Sequence, residues 1–183
     1  MLKVWGRRSS ANVQKVMWLV GELQIRHEHI PAGGPYGVTN EPKFRAMNPN
    51  GLVPVIEDDG LVMWESNAIL RYIAATYGED KFWFADPKTR APVDQWEEWA
   101  GTTFQPNIIG LFVSYWRTPE NQRNPNAIRN FQQRAETNLR LLDAELAKRL
   151  YVAGDTLTLA DIASGVHMYR YYTMGTPYPS LPN

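Results

Sequence analysis

The 183-residue sequence contains no cysteine. That absence removes disulfides, thiolate metal sites and any cysteine nucleophile together, and it fits a reducing compartment. An excess of charge is missing too: lysine plus arginine and aspartate plus glutamate number 19 each. Residues 1–86 hold 9 basic and 10 acidic side chains and the remainder 10 and 9, so no basic face is implied. No nucleic-acid partner is expected on that balance. Long apolar runs are also absent, and none approaches the roughly 20 residues that cross a bilayer, so no membrane partner is expected. The opening Met1-Leu2-Lys3-Val4-Trp5-Gly6-Arg7-Arg8 carries neither an apolar h-region nor a cleavage site, which speaks against a signal peptide. His27, His29 and His167 have no metal-ligand spacing, so no metal is expected.

What is present divides into two patterns. Leu2 to Trp5 is short, apolar and β-prone, and Val13, Val16, Met17 and Val20 then recur at helical spacing. The spacing predicts a helix from Ala11 to Leu23, with Ser9 or Ser10 as its cap. His27 to Ile30 reads as a second strand, Pro31 to Asn40 as a glycine- and proline-rich loop, and Pro42–Met47 as a short helical turn. Val53 to Glu57 and Leu61 to Trp64 form a hairpin about Asp58-Asp59-Gly60, and Ala68, Ile69, Tyr72, Ile73 and Tyr77 predict the helix that follows, ended by Gly78. The order β-α-β-α-β-β-α is that of a thioredoxin-like α/β domain, placed at residues 1–80.

Asp80 to Pro92 reads as a linker with its boundary at Asp86-Pro87. From 87 to 183 the pattern is all-helical. Pro125 stands at a first helical position after Asn124, and Ile128, Phe131, Ala135, Leu139, Leu142, Leu146 and Leu150 hold one stripe. Thr158-Leu159-Ala160-Asp161 is a capping pattern. The fold class expected is therefore an α/β thioredoxin-like N-terminal domain followed by an all-α C-terminal domain.

Three segments carry a resemblance. They are Asn48-Pro49-Asn50-Gly51-Leu52-Val53-Pro54-Val55, then Trp64-Glu65-Ser66-Asn67-Ala68-Ile69-Leu70-Arg71-Tyr72, and Leu157-Thr158-Leu159-Ala160-Asp161-Ile162-Ala163. In this order and spacing they resemble the glutathione S-transferase superfamily, of the bacterial serine- or asparagine-using, theta- or beta-like kind. The resemblance implies a cytoplasmic, dimeric transferase with a role in detoxification. Its co-substrate would be glutathione and its other partner a hydrophobic electrophile.

The resemblance also assigns a site. The proline matching Pro54 is cis in the family, so that Leu52-Val53-Pro54 presents the N–H and C=O of Val53 to the cysteinyl part of glutathione as an added strand would. Ser66, at a helix start, would take the γ-glutamyl carboxylate, and Glu65 the ammonium group. The plainer alternative is that Glu65 and Ser66 only cap and charge-complement the helix.

Catalysis needs a thiolate, and lowering a thiol pKa from about 8.5 by about two units takes roughly 2.7 kcal/mol. One hydrogen bond to the anion supplies about 1.5–3 kcal/mol and a helix N-terminus about 0.3–1. Ser9, Ser10 and Asn12 are the available donors, since no tyrosine precedes Tyr36. The family alignment favours Ser10, with Asn12 beside it, against the alternative of a plain N-cap.

Three departures from the family pattern bear on this assignment. Gln24 stands where relatives often end the first helix with glycine, and the arginine-rich continuation of the isomerase branch is absent from Val13-Gln14-Lys15. Relatives usually carry one more helix after a segment like Pro179–Asn183; either a further tail follows the given residues or the protein is naturally short, and in either case one wall of the second-substrate pocket is expected to be lacking. Phe104, Ile108, Phe112, Tyr115 and Trp116, with Leu111, are the candidates for that pocket, and at helical spacing they serve equally as core. Two other activities stay open: glutathione-dependent disulfide reduction, and glutathione binding without turnover as a scaffold.

Overall fold

A computed structural model describes residues 1–79 and 81–183, which fall into two compact units, Met1–Ala85 and Asp86–Asn183. Asp80, where the linker reading begins, lies outside the described residues.

The first unit is a four-stranded mixed sheet in the order β2-β1-β3-β4. β1 (Leu2–Trp5) runs parallel to β2 (His27–Ile30) and antiparallel to β3 (Val55–Asp58), which pairs antiparallel with β4 (Leu61–Trp64). The parallel pair needs a crossover, and α1 (Ala11–Glu22) supplies it. The β3–β4 hairpin closes over Asp59 and Gly60, both at positive φ, as a two-residue turn matching strand twist requires. This is the thioredoxin-like order expected from the sequence.

Alternation along the central strand builds a core on each face. Leu2, Val4 and Ile56 are buried, as are Val13, Val16, Leu19 and Val20 of α1 and Ile69, Leu70 and Ile73 of α3 (Ser66–Tyr77). Trp5 instead packs with Ala32, Val55 and Phe44, the buried residue of α2 (Pro42–Met47). At the far end of β3 the buried Asp58 accepts hydrogen bonds from Tyr72 and Tyr77 of α3 at 3.0 and 2.5 Å.

The end of α1 departs from the usual chemistry. The N–H of Gln24 bonds Gly21 O and that of Ile25 bonds Val20 O, the paired closure of a Schellman turn. Gln24 takes the left-handed position with φ 52°, a site that glycine fills at no steric cost.

The second unit is entirely helical, in α4 (Pro87–Trp99), α5 (Gln105–Phe112), α6 (Pro125–Leu146) and α7 (Leu159–Thr173). The linker expected to reach Pro92 therefore ends at Asp86, and Pro92 lies inside α4. Asp86 caps that helix, accepting from Thr89 Oγ1 and N at 2.8 and 2.9 Å, and these bonds hold its carboxyl below the usual range. Single π-helical turns at Ala100–Phe104 and Val113–Arg117 flank α5. The stripe on α6 buries Ala135, Leu139 and Leu142 but stops at Leu146, leaving Leu150 outside the helix and 77% exposed. At the start of α7 the Asp161 carboxylate accepts from Thr158 N and Oγ1, each at 2.8 Å, and from Val152 N at 2.7 Å. The capping pattern thus also ties the preceding loop to the helix.

Candidate functional site

The loop before β3 is shaped by its own side chains. Asn48 is buried; its Nδ2 donates to Leu52 O at 2.9 Å, and its Oδ1 accepts from Asn50 N at 3.0 Å and Asn50 Nδ2 at 3.1 Å. Arg45 of α2 donates to Pro49 O at 2.7 Å and Asn40 Oδ1 at 2.9 Å, holding the loop from the other side. These bonds fix the backbone as far as Leu52. The next peptide bond, Val53–Pro54, is cis. Neither backbone group of Val53 hydrogen-bonds to another described residue. A strand-like N–H and C=O therefore stand ready for an extended ligand, the edge-pairing mode of peptide recognition.

The turn from β4 into α3 places the second set of groups. Glu65 is the N-cap residue of α3 with φ 73° and ψ 111°, a conformation that costs a non-glycine residue of order 1–3 kcal/mol and that recurs at ligand sites. Its side chain makes no cap hydrogen bond, so at the helix start its carboxylate acts through its charge alone. Ser66 is the first helical residue and largely buried, and its Oγ donates to Asn12 Oδ1 at 3.3 Å. Free N–H groups and the positive end of the dipole at this twelve-residue helix favour an anion.

Asn12, Asn48, Asn50, Leu52, Val53, Pro54, Glu65 and Ser66 together line a small cleft of about 50 Å³. Asn12 sits in the first turn of α1, and its Oδ1 is occupied by the Ser66 hydroxyl. Its Nδ2 has no partner among the described residues, so the amide offers donors to the cleft. In the sequence Asn48 and Asn50 stand out only as part of a motif. Their supporting role follows from the tendency of asparagine to bond the backbone two residues on, which was legible in Asn48-Pro49-Asn50-Gly51.

Ser10 is not part of that cleft lining. It occupies the N-cap position of α1, with its N–H bonded to Arg7 O at 3.0 Å and its C=O accepting from Gln14 N at 2.9 Å. The hydroxyl makes no cap hydrogen bond and has no other partner among the described residues. The plain-cap alternative requires that bond, so the Ser10 hydroxyl is left uncommitted.

The five residues put forward for a second-substrate pocket separate by burial. Phe104 and Ile108 have no exposed surface, and Phe104 stacks on Trp99 at 5.4 Å and meets the His167 ring edge-on at 6.2 Å. Both sit where the core alternative puts them. Phe112 and Tyr115 are half-buried, with the guanidinium of Arg170 4.6 Å from the Phe112 ring centroid and that of Arg123 5.0 Å from Tyr115. Trp116 is exposed, and its Nε1 donates to Met174 O at 2.6 Å.

Residues 1–75 match the family model for the N-terminal domain of glutathione S-transferase. Glutathione S-transferase GstB of Escherichia coli K12 is 40% identical over 185 residues, spanning 100% of this chain and 89% of the relative. The chain belongs to the glutathione S-transferase superfamily. Glutathione S-transferase F13 of Arabidopsis thaliana is 34% identical over 100% of this chain and 84% of its own length. Among solved structures, this transferase resembles the glutathione-bound theta class enzyme of Xanthomonas axonopodis pv. citri. The two superpose with a TM-score of 0.94 at 38% identity, over 99% of this chain and 87% of the other. No group of histidine, cysteine, aspartate or glutamate side chains among the described residues is arranged to hold a metal ion.

Proposed function

We infer that the chain is a glutathione transferase that adds the glutathione sulfur to a hydrophobic electrophile. The carrying observation is one cleft that unites an unpaired Val53 backbone, the start of α3 at Ser66 and the Asn12 amide. The Val53 N–H and C=O would pair with the cysteinyl residue, the Ser66 hydroxyl and helix start would hold the γ-glutamyl carboxylate, and Glu65 would meet the ammonium group. Leu52 and Pro54 frame that strand. Asn12 Nδ2 and the Ser10 hydroxyl are the two donors proposed to stabilise the thiolate. A charge-assisted bond from either is worth about 1.5–3 kcal/mol, enough to bring a thiol near pKa 8.5 down to neutral pH.

Chemically, the thiol proton leaves to solvent, the sulfur lone pair forms the bond to the electrophilic carbon, and the leaving group departs with its bonding pair. Phe112, Tyr115 and Trp116 are the candidates for apolar contact in the helical unit. The cellular role proposed is detoxification in the cytoplasm by a homodimer. No helix among the described residues is long and apolar enough to cross a membrane, and the family resemblance supports the rest.

The test is the pH profile of kcat/KM with a chloronitroaromatic substrate for Ser10→Ala, Asn12→Ala and the unsubstituted chain. Each lost donor destabilises the thiolate, so the apparent pKa of bound glutathione should rise toward its free value and activity at neutral pH should fall about tenfold or more. A profile unmoved in both variants sinks the assignment. The presence of Asn12 in the cleft, where Ser10 is absent, also favours a second reading, disulfide reduction with glutathione as reductant. Reduction of a small disulfide that is lost in Asn12→Ala but kept in Ser10→Ala would establish it.

A further inference from the structure

Lys15 is the one charged residue among those that α1 buries, with 1% of its surface exposed. Its Nζ donates at 3.1 Å to Oδ1 of Asn67, in the first turn of α3. Burying an ammonium group is costly unless it is hydrogen-bonded, and an apolar side chain of similar length would fill the place without that cost. Packing alone therefore gives no reason for a lysine at this position. Its location supplies one.

Asn12 and Lys15 stand at i and i+3 of α1, so their side chains leave the same face of the helix. Opposite them, Ser66 and Asn67 are the first two residues of α3. Two bonds thus join the same pair of helix starts, Ser66 Oγ to Asn12 Oδ1 at 3.3 Å and Lys15 Nζ to Asn67 Oδ1 at 3.1 Å. The first joins two residues of the cleft lining, is uncharged, and exceeds the usual length of a hydroxyl bond. The second is charge-assisted, and neither of its residues lines the cleft. The stronger tie between the helix starts is therefore the one outside the cleft.

We propose that Lys15 is a positioning residue of the glutathione site: through Asn67 it holds the start of α3 against that of α1, and so places the Asn12 amide relative to the ligand. The inference rests on the transferase reading above and adds to it a residue that acts without touching glutathione. The contacts assigned to Val53 and Ser66 do not involve α1, and they fix where the sulfur lies. Asn12 Nδ2 must then meet a sulfur already placed. A small displacement of α1 against α3 lengthens that one bond and weakens the hold on the thiolate, while the peptide contacts stay as they are.

The experiment titrates the thiol of bound glutathione through the ultraviolet absorbance of its thiolate, for the full chain and its Lys15→Met, Lys15→Arg and Asn67→Leu variants. Turnover of a chloronitroaromatic and urea stability are measured alongside. In Lys15→Met and Asn67→Leu the bound-thiol pKa is expected to rise by about half a unit to one unit. The kcat at neutral pH should fall about threefold to tenfold with it, while KM for glutathione changes little. Lys15→Arg, which keeps a charged donor, should recover part of the shift. The double variant Lys15→Met, Asn67→Leu should shift no further than either single one, because both remove the same bond. A bound-thiol pKa unmoved in both single variants, with only the urea midpoint lowered, overturns the proposal and leaves the transferase reading standing. Bound glutathione whose thiol pKa moves in the variants, with no turnover of any electrophile, supports the positioning role and overturns the transferase reading instead. No binding of glutathione to the unsubstituted chain overturns both. Should Lys15→Met fail to fold by circular dichroism, Asn67→Leu carries the test, since it removes the acceptor and leaves the lysine.

Discussion

The Ser66 hydroxyl donates to Asn12 Oδ1 at 3.3 Å, joining the first turns of two helices that are 54 residues apart in sequence. With Oδ1 taken by the serine hydroxyl, the NH₂ of Asn12 is left as a donor to the cleft. It also couples the residue proposed to hold the glutathione carboxylate to one proposed to hold its sulfur.

Removing Ser66 should therefore act twice. Ser66→Ala is expected to weaken glutathione binding by about tenfold to a hundredfold, the worth of one bond to a charged group, as read by calorimetry. Combined with Asn12→Ala in a double-mutant cycle, it should show a coupling of about 0.5–1.5 kcal/mol in urea stability. Strict additivity would show that the 3.3 Å contact contributes nothing.

Gln24 offers a gain in stability. Its φ of 52° costs a side-chain-bearing residue roughly 1–2 kcal/mol, and the residue is exposed, so no packing is lost on replacement. Gln24→Gly is expected to stabilise the first unit by about 1 kcal/mol and raise its thermal midpoint. Glutathione affinity should not change.

Gly110 makes the opposite case. It lies within α5, and a Cβ built there collides with the Phe131 ring of α6. Helix propensity alone would reward Gly110→Ala by about 1 kcal/mol. The clash should outweigh it, giving a net loss of about 1–3 kcal/mol in chemical denaturation. Recovery in the double variant with Phe131→Leu would locate the cause in that ring.

Asp58 sets a pH limit. Its hydrogen bond to the Tyr77 hydroxyl, and burial together with the same carboxylate at Tyr72, raise both phenols above their ordinary value near 10. A folded-state pKa above the unfolded one gives stability that is fully present below about pH 10 and lost as pH rises beyond it. Urea midpoints should decline above about pH 10, and the decline should flatten in the Tyr72→Phe, Tyr77→Phe double variant.

How much of this was legible in the chain depends on the range of the cause. The hairpin at Asp59-Gly60, the caps at Asn124 and Thr158, the helical stripes and the thioredoxin-like order follow from local rules, since turn residues, cap residues and hydrophobic period act within a few positions. The motif around Val53-Pro54 and Glu65-Ser66, and with it the superfamily, was readable for the same reason. The linker reading reaches past the Asp86-Pro87 boundary because Pro92 suggests a break, but Pro92 lies inside the helix that starts at Pro87, whose first turn Asp86 caps through Thr89. Only the tertiary structure decided that Asn12 meets Ser66, that Ser10 keeps a free hydroxyl on another side of the same helix, and that Phe104 and Ile108 are buried. Those outcomes depend on how distant segments pack. Residue identity and spacing along one helix fix which face a side chain takes, but packing determines what that face meets.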